Sequence, residues 1–323
     1  AALDFMMRHV EPIDTNWIDE RWPGVEGQRK IDLQGYKLDL IVRSIQGLPR
    51  NIRPVTDGPY LDEFKFFKDE QGLIGIEAEG VKMLDFEMVT RREEDVFPLV
   101  KDLLPPMTLE EYRIYNTFNS QYLRLVRQPE LFTMPRIKAM AIDAGCYVGY
   151  KALALASFIG NNPVLAFELA TDNFEVLKIN IANNPRFRID PIRAALSNSV
   201  EEMTIHTRNV RTMAHSLTSF EHLKEVNTAL LDGGASSNQT ETICTSLLDD
   251  YTSGVDKLSA VHISVNGHEP EVVLGGIETA RKSDILRVSC PYSRSGRPVR
   301  EMVIDGFKNN GVDVFGISGA AVI

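Results

Sequence analysis

The chain has 323 residues, 43% of them hydrophobic and 25% charged, and carries a formal net charge of −10. That length and apolar content suffice to bury a substantial core, as one large domain with an addition or as two domains. Non-specific affinity for phosphate backbones comes from Lys and Arg releasing counterions, so a chain this acidic is not expected to partner nucleic acid.

Residues 1–105 mix prolines and charges with short apolar stretches such as Leu38-Asp39-Leu40-Ile41-Val42. They read as an α+β extension whose role is a lid, an acceptor-binding segment or an oligomerisation surface. Within it, Gly72 to Thr90 alternates as a hairpin does, with Ile74 and Ile76 followed by Val81, Met83, Leu84 and Phe86. Pro105-Pro106 marks a break before a helical stretch from Leu109 to Val126, which places the domain boundary near residue 105.

From Ile137 onward, apolar runs alternate with helix-like segments. Strand 138–143, helix 148–159, strand 164–168 and helix 171–182 come first, then strands near 189–196 and 201–206. Thr171 or Asp172 is the expected N-cap of the second helix. Ala260 to Val265 reads as a buried strand, Glu269 to Ala280 as a helix, Ile285 to Val288 as a strand and Val299 to Asn309 as the last long helix. This is the βαβ rhythm of a parallel sheet with helices on both faces, an α/β, Rossmann-like domain over residues 106–323.

The segment Asp143-Ala144-Gly145-Cys146-Tyr147-Val148-Gly149 joins the first of these strands to its helix. Glycines there let a ligand approach the backbone and the helix N-terminus. Glu168 closes the second strand about 20 residues on, where such folds hold the ribose hydroxyls of a nucleoside cofactor. The turn lacks the G-x-G-x-x-G of a nicotinamide site, having Asp143 in place of the first glycine. A carboxylate at that strand end repels phosphate but favours an ammonium or sulfonium, and S-adenosylmethionine carries both.

Four ordered segments resemble the FkbM-type class I methyltransferases. Asp143 to Gly149 is similar to D-x-G-A-N-x-G, and Ala166-Phe167-Glu168 with Asn173 to Asn180 is similar to A-F-E-P followed by N-F-x-x-L-K-x-N. Ala194-Ala195-Leu196-Ser197 resembles A-A-L-S. Gly234-Ala235-Ser236-Ser237, Leu248-Asp249-Asp250 and Val265 to Gly276 resemble G-A-S-S, L-D-D and V-E-G-x-E-x-x-V-L-x-G. The resemblance implies a class I methyltransferase sheet and S-adenosylmethionine-dependent O-methylation of a hydroxyl on a sugar, polyketide or related small molecule. It implies cofactor contacts at Asp143, Gly145, Cys146, Tyr147, Gly149, Glu168, Leu169 and Ala195.

The family's K-I-D-V-E-G is here His262-Ile263-Ser264-Val265-Asn266-Gly267, so two carboxylates are lost. Tyr147 and Leu169 stand where the family has Asn and Pro. An imidazole accepts a hydroxyl proton near neutral pH, which makes His262 and His268 the candidate bases. Each has the alternative of a structural histidine. Glu269 reads as a helix N-terminal charge beside Pro270, and Asp232 as a turn residue. Because Ser264 and Asn266 replace carboxylates, a catalytically degenerate binding or scaffolding protein is an alternative; a NAD-dependent oxidoreductase shares the strand, turn, helix and carboxylate order.

No metal site is expected, because His, Cys and carboxylates are not clustered. Cys146, Cys244 and Cys290 form no C-x-x-C pair and leave one over in any pairing, which suits free thiols and a cytoplasmic location. The first residues lack a basic stretch before an apolar one, and the apolar run Ala152 to Ile159 is too short to span a bilayer.

Overall fold

The computed structural model describes residues 64–86, 97–98, 101, 106–127, 137–207, 215–217, 223–225, 241–290, 292–314, 317–318 and 321–322. The stretch at 38–42, Asp232 and the Gly234 to Ser237 segment lie outside the described residues.

The expected hairpin is part of a three-stranded antiparallel meander, β1 (Phe64–Lys68), β2 (Ile74–Ala78) and β3 (Val81–Leu84). Glu79 and Gly80 turn β2 into β3 with φ of 53° and 68°, the positive values that two-residue hairpin turns need to match strand twist. These strands belong to the same compact unit as residues 108–323, so the boundary expected near residue 105 does not separate them from the core.

Helix α1 (Leu109–Phe118) opens on a capping box. Thr108 Oγ1 accepts from the Glu111 N–H at 3.2 Å, and Glu111 Oε2 accepts from the Thr108 N–H at 2.7 Å. A π-helical turn, Asn119–Leu123, interrupts the expected single helix before α2 (Arg124–Arg127).

The main domain then runs β4 (Met140–Ala144), α3 (Tyr150–Ile159), β5 (Val164–Glu168), α4 (Thr171–Ala182), β6 (Ile189–Arg193), β7 (Ala195–Leu196), β8 (Glu202–Thr207), β9 (His215–Ser216), β10 (Leu223–Glu225) and β11 (Glu241–Ser246). It continues with β12 (Leu258–Ile263), α5 (Glu269–Leu274), α6 (Ile277–Lys282), β13 (Ser283–Ser289), β14 (Tyr292–Arg294), β15 (Arg297–Pro298), α7 (Val299–Asn309), β16 (Ile317–Ser318) and β17 (Ala321–Val322). Among the described residues a seven-stranded sheet has the order β16-β17-β13-β12-β4-β5-β6. Its five strands from β13 to β6 are parallel, and β17 runs antiparallel to β13. The Rossmann-like α/β class expected from the alternation is therefore the observed fold.

One face of this sheet buries Ile142, Ala144, Val261 and Ile263 against Val272, Val273, Ile277, Val299, Val303 and Phe307 of α5 to α7. Residues of opposite parity, including Asp143 and His262, face the other way. The helix expected over 269–280 is broken at Gly275-Gly276, because a Cβ at Gly275 would lie 2.0 Å from the Ser197 carbonyl oxygen. Helix α4 is not capped by Thr171 or Asp172. Its N-cap is Ala170, in extended conformation with no side-chain cap, and Thr171 Oγ1 bonds the Glu241 carboxylate instead. Asn180 on α4 ties the meander to the domain: its Nδ2 donates to the Leu84 and Val148 carbonyls, and its Oδ1 accepts from the Leu84 N–H.

Candidate functional site

Strand order reverses between β4 and β12, and in open parallel sheets ligands bind outside the carboxyl ends of the strands at that point. A cavity of about 20 Å³ lies there, lined by Gly145, Phe167, Leu169, Ala194, Leu196, Leu217, Val265 and His268. Of the residues expected to contact cofactor, Gly145 and Leu169 line it; Ala195 is buried beside it, in one apolar cluster with Leu169 and Leu217. A volume of this size holds roughly one water molecule, whereas ligand pockets run to about 300 Å³ or more.

The glycine turn is well formed, but its amides are spent within the chain. The Gly145 and Cys146 N–H groups both donate to the Phe167 carbonyl at 3.0 and 2.9 Å, the Tyr147 N–H donates to Glu168 Oε2 at 2.9 Å, and the Gly149 N–H donates to the Cys146 carbonyl at 2.9 Å. The open cradle expected from the sequence is thus closed by its own residues. Gly145, at φ 80°, is required by the neighbouring strand: a Cβ there would lie 2.0 Å from the Ser264 carbonyl oxygen. At Gly149, with φ 100°, the obstacle is Leu177 Cδ1 at 2.7 Å.

Glu168 sits at the end of β5 with 5% of its surface exposed. Besides the Tyr147 N–H it accepts from the Ala170 N–H at 2.9 Å and from Asn173 Nδ2 at 3.4 Å. Burial pushes its carboxyl up to about 7, against the lowering effect of those donors. Tyr147 turns inward at φ 55°, and its hydroxyl donates to Asp85 Oδ1 at 2.5 Å. Cys146 is buried, and desolvation, with Asp143 and Glu168 nearby, raises its thiol well above the usual range. The thiolate that a helix N-terminus favours is not formed here.

The two candidate bases lie in different surroundings. His268 lines the cavity, its Nε2 3.1 Å from Ser197 Oγ and its Nδ1 3.6 Å from Glu271 Oε2. Arg294 holds Glu271 through two bonds of 3.0 and 2.8 Å. Burial lowers the His268 pKa, so the ring is held neutral. His262 points to the opposite face of the sheet. Its Nδ1 lies 2.8 Å from Asp143 Oδ1, and its Nε2 lies 3.1 Å from Lys151 Nζ and 3.5 Å from Ser289 Oγ. These partners assign the proton to Nδ1 and a lone pair to Nε2. Burial foremost, with Lys151 beside it, lowers His262 to about 4, and burial lowers Lys151 to about 8. Both ring nitrogens of His262 are therefore engaged.

Glu269 does not act as a free charge at the helix start. Its carboxylate accepts from the Val265 and Gly267 N–H groups, both at 2.9 Å, and so closes the loop after β12. Burial raises it to about 7. Where the resemblance has a carboxylate, Asn266 occupies a left-handed conformation at φ 54°, and its Oδ1 accepts from the Tyr292 hydroxyl at 3.2 Å. Asp85, Arg113 and Lys151, none of them expected at the site, contact it through the interior. Their sequence distance from the glycine turn, or in Lys151 an ordinary helical position, left no local signal.

The described residues include no cluster of His, Cys, Asp and Glu able to hold a metal ion. Asp143 Oδ2 is a buried carboxylate oxygen with no hydrogen-bond partner, on the His262 face of the sheet and not among the residues that line the cavity. An unpaired buried carboxylate oxygen fits a cationic group, and the apolar walls fit an adenosyl moiety. Those walls suit the adenosyl part of S-adenosylmethionine, while the cavity volume and the engaged turn amides do not accommodate the whole molecule in this structure.

No protein-family model and no curated protein matches the chain. Among solved structures it is similar to the methyltransferase FkbM from Methylobacillus flagellatus, at 11% identity and a TM-score of 0.34, over 61% of this chain and 53% of that one. It is also similar to Aeropyrum pernix fibrillarin in complex with natively bound S-adenosyl-L-methionine, at 11% identity and a TM-score of 0.35, over 79% of this chain and 92% of that one. The chain thus spans about half the length of the first of these. No described helix is long and apolar enough to cross a membrane.

Proposed function

We propose that this chain is an S-adenosylmethionine-dependent methyltransferase that methylates a hydroxyl on a sugar, polyketide or related small molecule. The observation that carries this reading is the glycine turn between β4 and α3 at the switch point of the parallel sheet, with Glu168 ending β5 and an apolar cavity lined by Gly145, Phe167, Leu169 and Leu196 at the same strand ends. Phe167, Leu169 and Leu196 would hold the adenine and Glu168 the ribose hydroxyls, while Asp143 is engaged with His262 on the other face of the sheet. When bound, the sulfonium supplies an electrophilic methyl group. His268, neutral and lining the cavity, would accept the proton of the acceptor hydroxyl at Nε2 in place of its contact with Ser197 Oγ, with Glu271 beside Nδ1. His262, with both nitrogens engaged, sets the strand end instead.

A second reading, a methyltransferase-like binding or scaffolding module, is favoured by the self-satisfied turn amides. Against a nicotinamide enzyme stands the antiparallel edge β17-β13, where the usual dinucleotide fold continues in parallel strands. Residues 1–105 would then serve as a lid, acceptor-binding segment or subunit contact.

Calorimetry with S-adenosylmethionine and with NAD tests this: heat is expected with the former alone. A panel of hydroxyl acceptors is then scanned for S-adenosylhomocysteine, with His268→Gln expected to lower its formation at least tenfold, a lower bound beside the roughly 10²–10⁴ that general bases contribute. Absence of heat with saturating S-adenosylmethionine overturns both methyltransferase-fold readings as ligand-binding proteins. Heat without turnover on any acceptor favours the scaffold.

A further inference from the structure

Tyr147 joins two buried carboxylates that are far apart in sequence. Its main-chain N–H donates to Glu168 Oε2 at 2.9 Å, and its side-chain hydroxyl donates to Asp85 Oδ1 at 2.5 Å. It does so from a left-handed backbone, φ 55°, which a non-glycine residue adopts at a cost and keeps only when its surroundings over-determine it. A phenol donating to a carboxylate is a charge-assisted bond, among the strong ones.

The Asp85 end is rigid. The residue is fully buried and also accepts from Arg113 Nη1 at 2.8 Å, the Tyr150 hydroxyl at 3.0 Å and the Phe86 N–H at 2.7 Å. The adjoining strand end is pinned to α4 through the bonds between Asn180 and Leu84. Glu168 is the acceptor proposed for the ribose, and the Tyr147 N–H takes one of the two acceptor positions of its Oε2 while the Ala170 N–H and Asn173 take Oε1.

We propose that Tyr147 is a positioning residue held by Asp85: the hydroxyl bond keeps the Tyr147 N–H on Glu168 and so withholds that carboxylate from ligand until the bond opens. This rests on the assignment of Glu168 to the ribose of S-adenosylmethionine. A protein whose competent state is a fraction of the population binds with an affinity reduced by that fraction, so removing the latch strengthens binding. The phenol is held well above its usual pKa, by burial and then by Asp85, and stays a donor across the working pH range.

The test compares Tyr147→Phe with Tyr150→Phe, which removes a different Asp85 partner without touching the Tyr147 N–H. Hydrogen exchange at the residue 147 amide is expected to accelerate at least tenfold in Tyr147→Phe, with β4 and β12 amides unchanged, and not in Tyr150→Phe. S-adenosylmethionine is expected to bind Tyr147→Phe at least fivefold more tightly than the wild type. Unchanged exchange in Tyr147→Phe, equal acceleration in both variants, or faster exchange with unchanged or weaker binding overturns the latch. Selective acceleration with no S-adenosylmethionine binding to either protein overturns the proposal at its ligand, on which it rests, and distinguishes that failure from a failure of the Asp85–Tyr147 bond.

Discussion

His262 Nδ1 and Asp143 Oδ1 lie 2.8 Å apart on neighbouring parallel strands, directly opposite each other in register. Lys151 from the first turn of α3 completes the chain on the far side of the ring. A neutral imidazole is thereby buried between a carboxylate and an ammonium.

That arrangement has a pH signature. The folded state holds His262 near 4, below its ordinary 6.5, so the unfolded chain takes up the proton first. The stability that the neutral ring contributes is full above about 6.5 and is lost as pH falls towards 4. Glu168 and Glu269, raised from 4.5 to about 7, act oppositely: their contribution is present below about 4.5 and is lost as pH rises through 7. Relative to wild type, His262→Gln should gain stability as pH falls through the histidine window, and Glu168→Gln should gain as pH rises through the carboxyl window. Urea unfolding at several pH values measures both. A pH-independent difference for His262→Gln would show that the ring is not held neutral.

Arg113 and Asp85 form an ion pair of 2.8 Å with side chains 4% and 0% exposed. Arg113→Met leaves the carboxylate buried with two phenols and one backbone donor, and is expected to cost about 3–5 kcal/mol. Pairing it with Asp85→Asn should recover part of that loss. Denaturant midpoints check this, and a cost below about 1 kcal/mol for the single variant is incompatible with an uncompensated buried charge.

The two turn glycines should differ. Gly145→Ala drives a Cβ into the Ser264 backbone carbonyl, which has little freedom to move, whereas Gly149→Ala meets the end of the Leu177 side chain. Both pay for a positive φ, about 1–2 kcal/mol. The backbone clash takes Gly145→Ala to about 3 kcal/mol or more. Equal thermal shifts in the two variants would contradict the close approach of the strand end after β12.

Thiol chemistry should separate the cysteines. Cys244 is exposed, while Cys146 and Cys290 are buried with pKa values raised mainly by desolvation. Iodoacetamide mapped by mass spectrometry should label Cys244 first and the other two only on unfolding. Rapid labelling of Cys146 in the native protein would indicate that the turn opens readily.

Much of the main domain was legible because its signals are local. The apolar run 164–168 and the helix-like stretch 171–182 match β5 and α4, although α4 buries Asn173, Val176, Leu177 and Asn180 and leaves Phe174 and Ile181 partly exposed. Gly145 and Gly149 were recognisable as turn glycines, though the neighbour that demands Gly145 is a carbonyl 119 residues later rather than a ligand. The break at Gly275 was missed because Ser197, whose carbonyl requires it, is distant in sequence. Asp85 was invisible for the same reason: it meets Tyr147 across 62 residues and reads locally as a charge after a hairpin.

Apolar periodicity and glycine punctuation, both properties of short stretches of chain, were by themselves enough to specify a parallel α/β sheet with a glycine turn and a carboxylate at the second strand end. Only the tertiary structure decided what those groups do: Glu168 is taken by the turn, Tyr147 by Asp85, and His262 by Asp143 and Lys151, leaving His268 on the cavity. Availability and protonation depend on burial and on partners brought together by folding, and no local pattern encodes either.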